Sequence, residues 1–449
     1  MAEMSTEVLL DAVLDYPLFS QMLAHNNMQR GFETLSESFN GLQELRNRPD
    51  APETLLAAYQ SLDPARIGDG WSLLQQGKFA FRVYYLEMLL AQDWLVWSLG
   101  HLETQALLAE TLTARDQKLE RFDVYGAFGL ERTALVTGKA LGQADPSFAA
   151  QELIDPALAK FLTTANYASP WTMDLIFDRA EELLQGESSW SPKDFGLIEP
   201  FATKDYNSTV TTPNGSSVPV IVMTWEFTAG TIAAANDEVE AMYPLAVRET
   251  NASRKYNCHS YAFYSSSTSN NRWMNTPGDD TYWLDGSYIP LSTIVAGARV
   301  SYYGDHSAVA INASEFRSKW GSYPRMRHAP TYVPQSYGAV RQAYFRNNFR
   351  VNLTGPTSRN PNQSGTWTAT VSSGVPPYSY SWFKSTSSGI TDLSSTCTST
   401  SSSCSSSTSD TQSFNIVVDV IDSTGRFATD YVFVDVDGDP DGPGGGLPF

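Results

Sequence analysis

Cysteine and histidine are both scarce, with three and five residues in a chain of 449. In residues 1–185 the only histidines, His25 and His101, stand alone, so no metal-ligand cluster is expected there. Basic charge is short as well. The 30 Lys and Arg face 49 Asp and Glu, a net charge of −19, which argues against nucleic acid as the main partner because phosphate binding needs a basic footprint. Long apolar runs are missing too. The most apolar stretch, residues 79–99, is broken by Arg82, Glu87 and Asp93, so it reads as a buried bundle helix and no membrane span is expected. The first residues carry neither the basic nor the apolar region of a secretory signal. What is present is globular: 42% of the residues are apolar, which excludes a wholly disordered or fibrous chain.

The charge is unevenly spread. Residues 1–185 carry a net −13, residues 186–350 a net 0, and residues 351–449 a net −6. Seven basic residues fall within 317–350 with no carboxylate among them, which reads as a solvated basic face, with a local preference for anions as the other reading.

These divisions match changes in pattern and suggest a multidomain chain. Residues 1–185 are dominated by helix formers with apolar residues at helical spacing, as at Leu107, Leu108, Leu112 and Leu119, predicting an all-α domain of seven to nine helices. Residues 186–349 turn to Ser, Thr, Asn, Pro and Gly, with a period-2 run over 218–227 and a short helix over 232–242, an α+β pattern. Residues 350–437 are Ser/Thr-rich with short alternating strands at 365–371, 378–383, 414–420 and 431–436. With a strand tryptophan, Trp382, they predict an all-β sandwich. Residues 438–449 read as a flexible Gly/Pro/Asp tail. Within 435–442, Asp435, Asp437, Asp439 and Asp441 alternate as Ca²⁺ ligands would. The bidentate Glu of a full loop is missing, so a disordered acidic tail is the favoured reading.

The odd cysteine count sorts itself. Cys397 and Cys404 flank a Ser/Thr tract with no histidine and no second cysteine pair nearby, so a disulfide is expected and zinc is not; two unpaired surface thiols are the alternative. A disulfide implies an oxidising compartment, hence export to the cell surface or beyond.

Cys258 is then the unpaired thiol. It lies in Tyr256-Asn257-Cys258-His259-Ser260-Tyr261-Ala262, after cap-type residues at 251–253, and is placed at the start of a helix, where backbone N–H groups and the helix dipole favour a thiolate. His306 is expected to open a strand whose alternation sets His306, Ala308 and Ala310 on one face, small enough for a helix to approach closely. Ser318, on the next strand, is expected to orient the imidazole, with His328 and Asn312 as weaker candidates. A thiol, an imidazole base and a polar orienter are the parts of a cysteine hydrolase. The Cys258 N–H with Tyr256 or Asn257 would form the oxyanion hole. Trp273 is one of several aromatics placed to line a substrate cleft, core packing being the alternative. His259, beside the thiol, reads as structural.

Cys258-His259-Ser260-Tyr261-Ala262 resembles the Cys-x-x-Tyr-Ala signature of CHAP amidohydrolase/peptidases, and Asp305-His306-Ser307-Ala308-Val309 resembles their histidine strand. CHAP and NlpC/P60 domains are papain-like. The resemblance implies a thioester on Cys258, His306 as base, and peptidoglycan stem peptide or protein as substrate. More closely, residues 256–262, 271–274, 285–288, 305–308 and 318–321 are similar to a little-characterised family of exported bacterial proteins, over roughly 208–345. Where CHAP domains carry Glu or Asn after the histidine strand, this chain has Ser318 and Lys319. Residues 374–382 resemble the Ig-like PKD and SprB modules of bacterial surface proteins, which implies a spacer role or a surface or cell-wall partner. The rival function is a non-catalytic adhesion or binding protein built on a degenerate papain-like fold.

Overall fold

The computed structural model describes residues 4–68, 70–186, 205–406, 411–423 and 425–437. The chain divides into two compact units, one of Met1–Asp285 with Ser292–Tyr344 and the other of Gly286–Leu291 with Phe345–Phe449. The composition change near residue 186 is therefore a change of secondary structure inside one unit. The change near residue 350 lies a few residues beyond Phe345, where the longer segment of the second unit begins.

The N-terminal region is helical and the remainder rich in strands. Eleven α-helices occur between Thr6 and Gln185 among the described residues, more than expected because pieces as short as Asn40–Arg46 and Asp93–Val96 stand as separate helices. Their starts follow from capping chemistry. Ser5, Asn27, Ser72, Asp145, Asp155 and Ser169 each place a side-chain oxygen on a first-turn N–H, satisfying donors that have no intrahelical partner. Pro146, Pro156 and Pro170 sit in first turns, where a missing N–H costs nothing.

The apolar stretch at 79–99 lies mostly in the helix Leu73–Leu90, and the charge that interrupts it, Glu87, is fully buried against Lys118. No helix among the described residues is long and apolar enough to cross a membrane. The expected helix at 232–242 begins earlier, at Ala229–Met242, capped by Thr228. It crosses Leu73–Leu90 at Gly77 and Gly230: a Cβ on Gly77 would lie 2.0 Å from the Gly230 carbonyl oxygen. Only a side chain of hydrogen lets the two backbones approach so closely. A second tie is the buried ion pair of Glu131, from the helix Phe122–Ala144, with Arg254 at 3.0 Å.

Beyond the helices, Tyr206–Thr211, Ser217–Val222 and Arg272–Trp273 form a small antiparallel sheet. The strand expected over 218–227 stops at Val222 because Asp205 takes the backbone N–H groups of Thr224 and Trp225. The larger antiparallel sheet runs, in spatial order, Val247–Arg248, Arg325–His328, Glu315–Lys319, Ser307–Asn312, Arg299–Tyr302 and Val340–Arg346.

The second unit is built of a three-stranded sheet, Arg350–Thr354, Gly365–Ser372 and Ser403–Ser406, and a five-stranded one containing Tyr378–Thr386, Phe414–Asp422 and Phe427–Val436. Its core gathers Trp367, Trp382, Phe414, Ile416 and Val418. Cys397 and Cys404 are joined in a disulfide and buried in this core. Reduction is expected to cost this unit about 2.5 kcal/mol, from the entropy of reopening so short a loop. Urea unfolding followed by tryptophan fluorescence, with and without reductant, reads that loss as a lower midpoint.

Candidate functional site

The site grows from the loop that precedes Cys258. Asn257 caps a helical turn that starts at Cys258 and widens into the π-type turn Ser260–Tyr264. Its carbonyl accepts from the Tyr261 N–H at 2.9 Å. Its side-chain oxygen accepts from the N–H groups of Ser260 and Met274, each at 3.2 Å. Its amide nitrogen donates to the Met274 carbonyl at 2.6 Å and to Oδ1 of Asn26 at 2.9 Å. All four hydrogen-bonding positions of that side chain are in use. The turn packs on Arg299–Tyr302, Ser307–Asn312 and Glu315–Lys319, and Ala308 and Ala310 of the middle strand are buried. Cys258 is 1% exposed.

Asn26 is the residue that sequence reading misses. It lies between the 3₁₀ helix Phe19–Ala24 and the helix Met28–Ser38, in the helical region. Its amide faces the Cys258 sulfur, with Nδ2 at 3.8 Å and Oδ1 at 3.9 Å. The only local signal is the pair Asn26-Asn27, of which Asn27 is the helix cap. The segment around Asn26 is held firmly. The Leu23 carbonyl accepts from the Ser322 N–H at 2.7 Å and the Ala24 carbonyl from the Tyr337 hydroxyl at 2.6 Å. Asn166 donates to the Asn26 carbonyl and accepts from the Met28 N–H. Gly321, at φ +54°, makes room for it, since a Cβ there would sit 2.4 Å from the Leu23 carbonyl oxygen.

His306 is 1% exposed and just precedes the strand it was expected to open, Ser307–Asn312. Its ring stacks on Tyr337 at 3.7 Å and tilts against Tyr302 at 5.1 Å. Neither ring nitrogen has a hydrogen-bond partner among the described residues, so no hydrogen bond joins it to the sulfur. Burial, followed by the charges of His328 and His259, holds its pKa well below the usual histidine value, and the ring is neutral at physiological pH.

Ser318 does not orient His306. Its hydroxyl is 2.8 Å from Nε2 of His328 and accepts from the Trp320 indole N–H at 2.9 Å. The register explains this: Phe316 pairs with His328 and Ser318 with Met326, so Ser318 and His328 share a face diagonally. Asn312 is exposed and engaged in its own turn with Ser314.

His259 is the centre of a charged clamp. Nδ1 lies 2.9 Å from Oδ2 of Asp279 and from Oγ of Ser307, and Nε2 lies 2.9 Å from Oδ1 of Asp305. Burial alone would lower its pKa, but the Asp279 carboxylate and the hydrogen bonds to Asp279 and Asp305 hold it well above the usual value. Burial pushes Asp305 up in turn. The hydrogen bond and charge of His259, with hydrogen bonds from Thr276 and Asn26, outweigh that and keep its carboxyl well below the ordinary range.

Tyr256 packs under Lys319, whose Nζ is 5.2 Å from the ring centroid. That lysine is fully buried, donates to the carbonyls of Ser253 and Gly321, and is lowered by burial to about 7. Trp273 pairs with Ile221 and donates its indole N–H to Asn275 at 3.2 Å. It lines a cavity of about 40 Å³ with His25, Met28, Asn166, Phe227 and Arg254. Part of the basic excess at 317–350 is paired internally, since Arg317, Arg325 and Arg327 converge on Glu249. No cluster of acidic, histidine or cysteine side chains among the described residues is arranged to hold a metal ion. Of the four tail aspartates, Asp439 and Asp441 lie outside the described residues.

No protein-family model matches the sequence, and no curated protein is similar to it.

Proposed function

We propose that the chain is a cysteine hydrolase of papain-like architecture that cleaves carbon–nitrogen amide bonds, with Cys258 as nucleophile and His306 as base. The observation that carries this reading is the placement of Cys258: it opens a capped helical turn, against the sheet whose strand follows His306, with its sulfur facing a carboxamide. A neutral imidazole is the form that accepts a thiol proton, and both His306 nitrogens are uncommitted. In the resulting mechanism the thiolate attacks the amide carbon and Asn257 with the Cys258 N–H steadies the oxyanion. His306 passes the proton to the leaving nitrogen, and water then hydrolyses the thioester. No hydrogen bond joins the thiol and imidazole in this structure, so the productive approach requires the two side chains to move together.

Peptidoglycan stem peptide or protein is the proposed substrate class. Export is proposed from the disulfide Cys397–Cys404. The second unit is read as an Ig-like module for a surface or cell-wall partner. A second reading, a non-catalytic binding protein, is favoured by the missing thiol–imidazole bond. Cys258→Ala decides between them. Amide hydrolysis by the full chain is expected to fall by a factor on the order of 10⁴ or more, and undiminished hydrolysis by that variant overturns the mechanism.

A further inference from the structure

Asn26 presents its amide to Cys258 as a substrate group would. Nδ2 and Oδ1 stand at 3.8 and 3.9 Å from Sγ, so the sulfur faces the carboxamide almost evenly instead of bonding one polar end. The polar ends have firmer partners. Oδ1 accepts from Nδ2 of Asn257 at 2.9 Å, while Nδ2 donates to Oδ2 of Asp305 at 3.1 Å and to its carbonyl oxygen at 3.4 Å. A donor on the oxygen, acceptors on the NH₂ and a sulfur beside the group are what attack on a primary carboxamide requires.

We infer that the Cys258 centre acts on primary carboxamides, the side-chain amides of asparagine or glutamine in a polypeptide, and that Asn26 fills that position as an intramolecular stand-in. This rests on the hydrolase reading and sharpens its substrate. Two features favour a primary carboxamide over a backbone peptide bond. Asp305 offers the NH₂ two acceptors, its carboxylate and its carbonyl oxygen, whereas a peptide nitrogen has only one hydrogen and would direct its chain toward that carboxylate. The backbone carrying the amide is also held as a peptide would be: His25 and Asn27 are extended, and the carbonyls of Leu23, Ala24 and Asn26 are taken by Ser322, Tyr337 and Asn166.

The reaction balances without a further reagent. The Cys258 sulfur bonds to the carboxamide carbon, the carbon–nitrogen bond breaks, and ammonia leaves with the thiol proton carried by His306. Water then cleaves the thioester, which gives a carboxylic acid and restores the thiol.

The test uses the full chain with Asn26→Ala and Asn26→Ser, their fold checked by circular dichroism. Benzyloxycarbonyl-Gln-Gly and denatured casein serve as probes, and ammonia and new peptide termini are both measured. Ammonia release is expected to rise about 10-fold over wild type as the stand-in is removed, and to vanish when Cys258→Ala is added. New termini without ammonia overturn the carboxamide assignment and leave the hydrolase reading standing; neither product overturns both. Should both variants unfold, alkylation of Cys258 in the wild-type chain replaces them. Acetamide is expected to slow alkylation by methyl iodoacetate and N,N-dimethylacetamide is not, and equal effects of the two overturn the inference.

Discussion

Lys118→Met is expected to destabilise the first unit by about 3–5 kcal/mol, the cost of stranding a buried charge. Lys118 and Glu87 are both fully buried, with Nζ 2.6 and 2.7 Å from the two carboxylate oxygens. Nζ also donates to Thr133 Oγ1 at 2.9 Å and to the Gly129 carbonyl at 3.0 Å. The hydroxyls of Tyr59 and Thr133 donate to Glu87 Oε1. Four helices, Ala51–Ser61, Leu73–Leu90, His101–Glu120 and Phe122–Ala144, therefore meet at one ion pair. Burial lowers the pKa of Lys118, and the charge of Glu87 and its hydrogen bonds oppose that shift. With methionine at 118, Glu87 loses its ion-pair partner and keeps, among the described residues, the two neutral donors Tyr59 and Thr133. Urea unfolding followed by circular dichroism measures the loss. The double variant Glu87→Met/Lys118→Met is expected to recover most of it, because replacing both partners removes the stranded charge. A Lys118→Met chain within about 1 kcal/mol of wild type would show that the pair is solvated.

The second large effect is His259→Gln, expected to cost about 3–5 kcal/mol near pH 6 and progressively less as pH rises. The sign follows from the two shifts in the clamp. His259 is raised above its ordinary value, about 6.5, so its stabilisation is complete below that pH and is lost as pH climbs through the raised value. Asp305 is lowered below its ordinary value, about 3.9, so its share is complete above that pH and fades as pH falls. The clamp is thus fully formed between roughly pH 4 and 6.5. Other groups titrate nearby. Glu238 is pushed up by burial to about 7 and works in the same direction as His259. Lys319, lowered to about 7, works in the opposite one. The difference between wild type and variant cancels both, and urea midpoints measured from pH 5 to pH 9 give it. A difference that stays flat over that range would mean that His259 is neutral in the folded chain.

What could be read in the sequence was whatever depends on neighbours along the chain. The helical start at Cys258 was expected from cap-type residues at 251–253, which bond elsewhere while Asn257 provides the cap; alternation announced the strand after His306. The trend from helix formers to Ser/Thr-rich strands announced the α and β regions. The short spacing of Cys397 and Cys404 announced their disulfide. Ser318 failed as the orienter of His306 because its partner is chosen by register with Arg325–His328, not by position on its own strand. Glu87 appeared only as a break in an apolar run, since nothing local indicates that Lys118 will neutralise it.

The boundary near residue 186 shows the same division. Composition marks a change of secondary structure there, but the Gly77–Gly230 crossing and the Glu131–Arg254 pair draw both sides into one unit. Asn26 stands 232 residues before Cys258, too far for any periodicity to connect them. Residue type and local spacing determined by themselves which thiol is free and where its helix begins. Only the tertiary structure decided what faces that thiol, because packing between distant segments sets it, and packing has no period in the sequence.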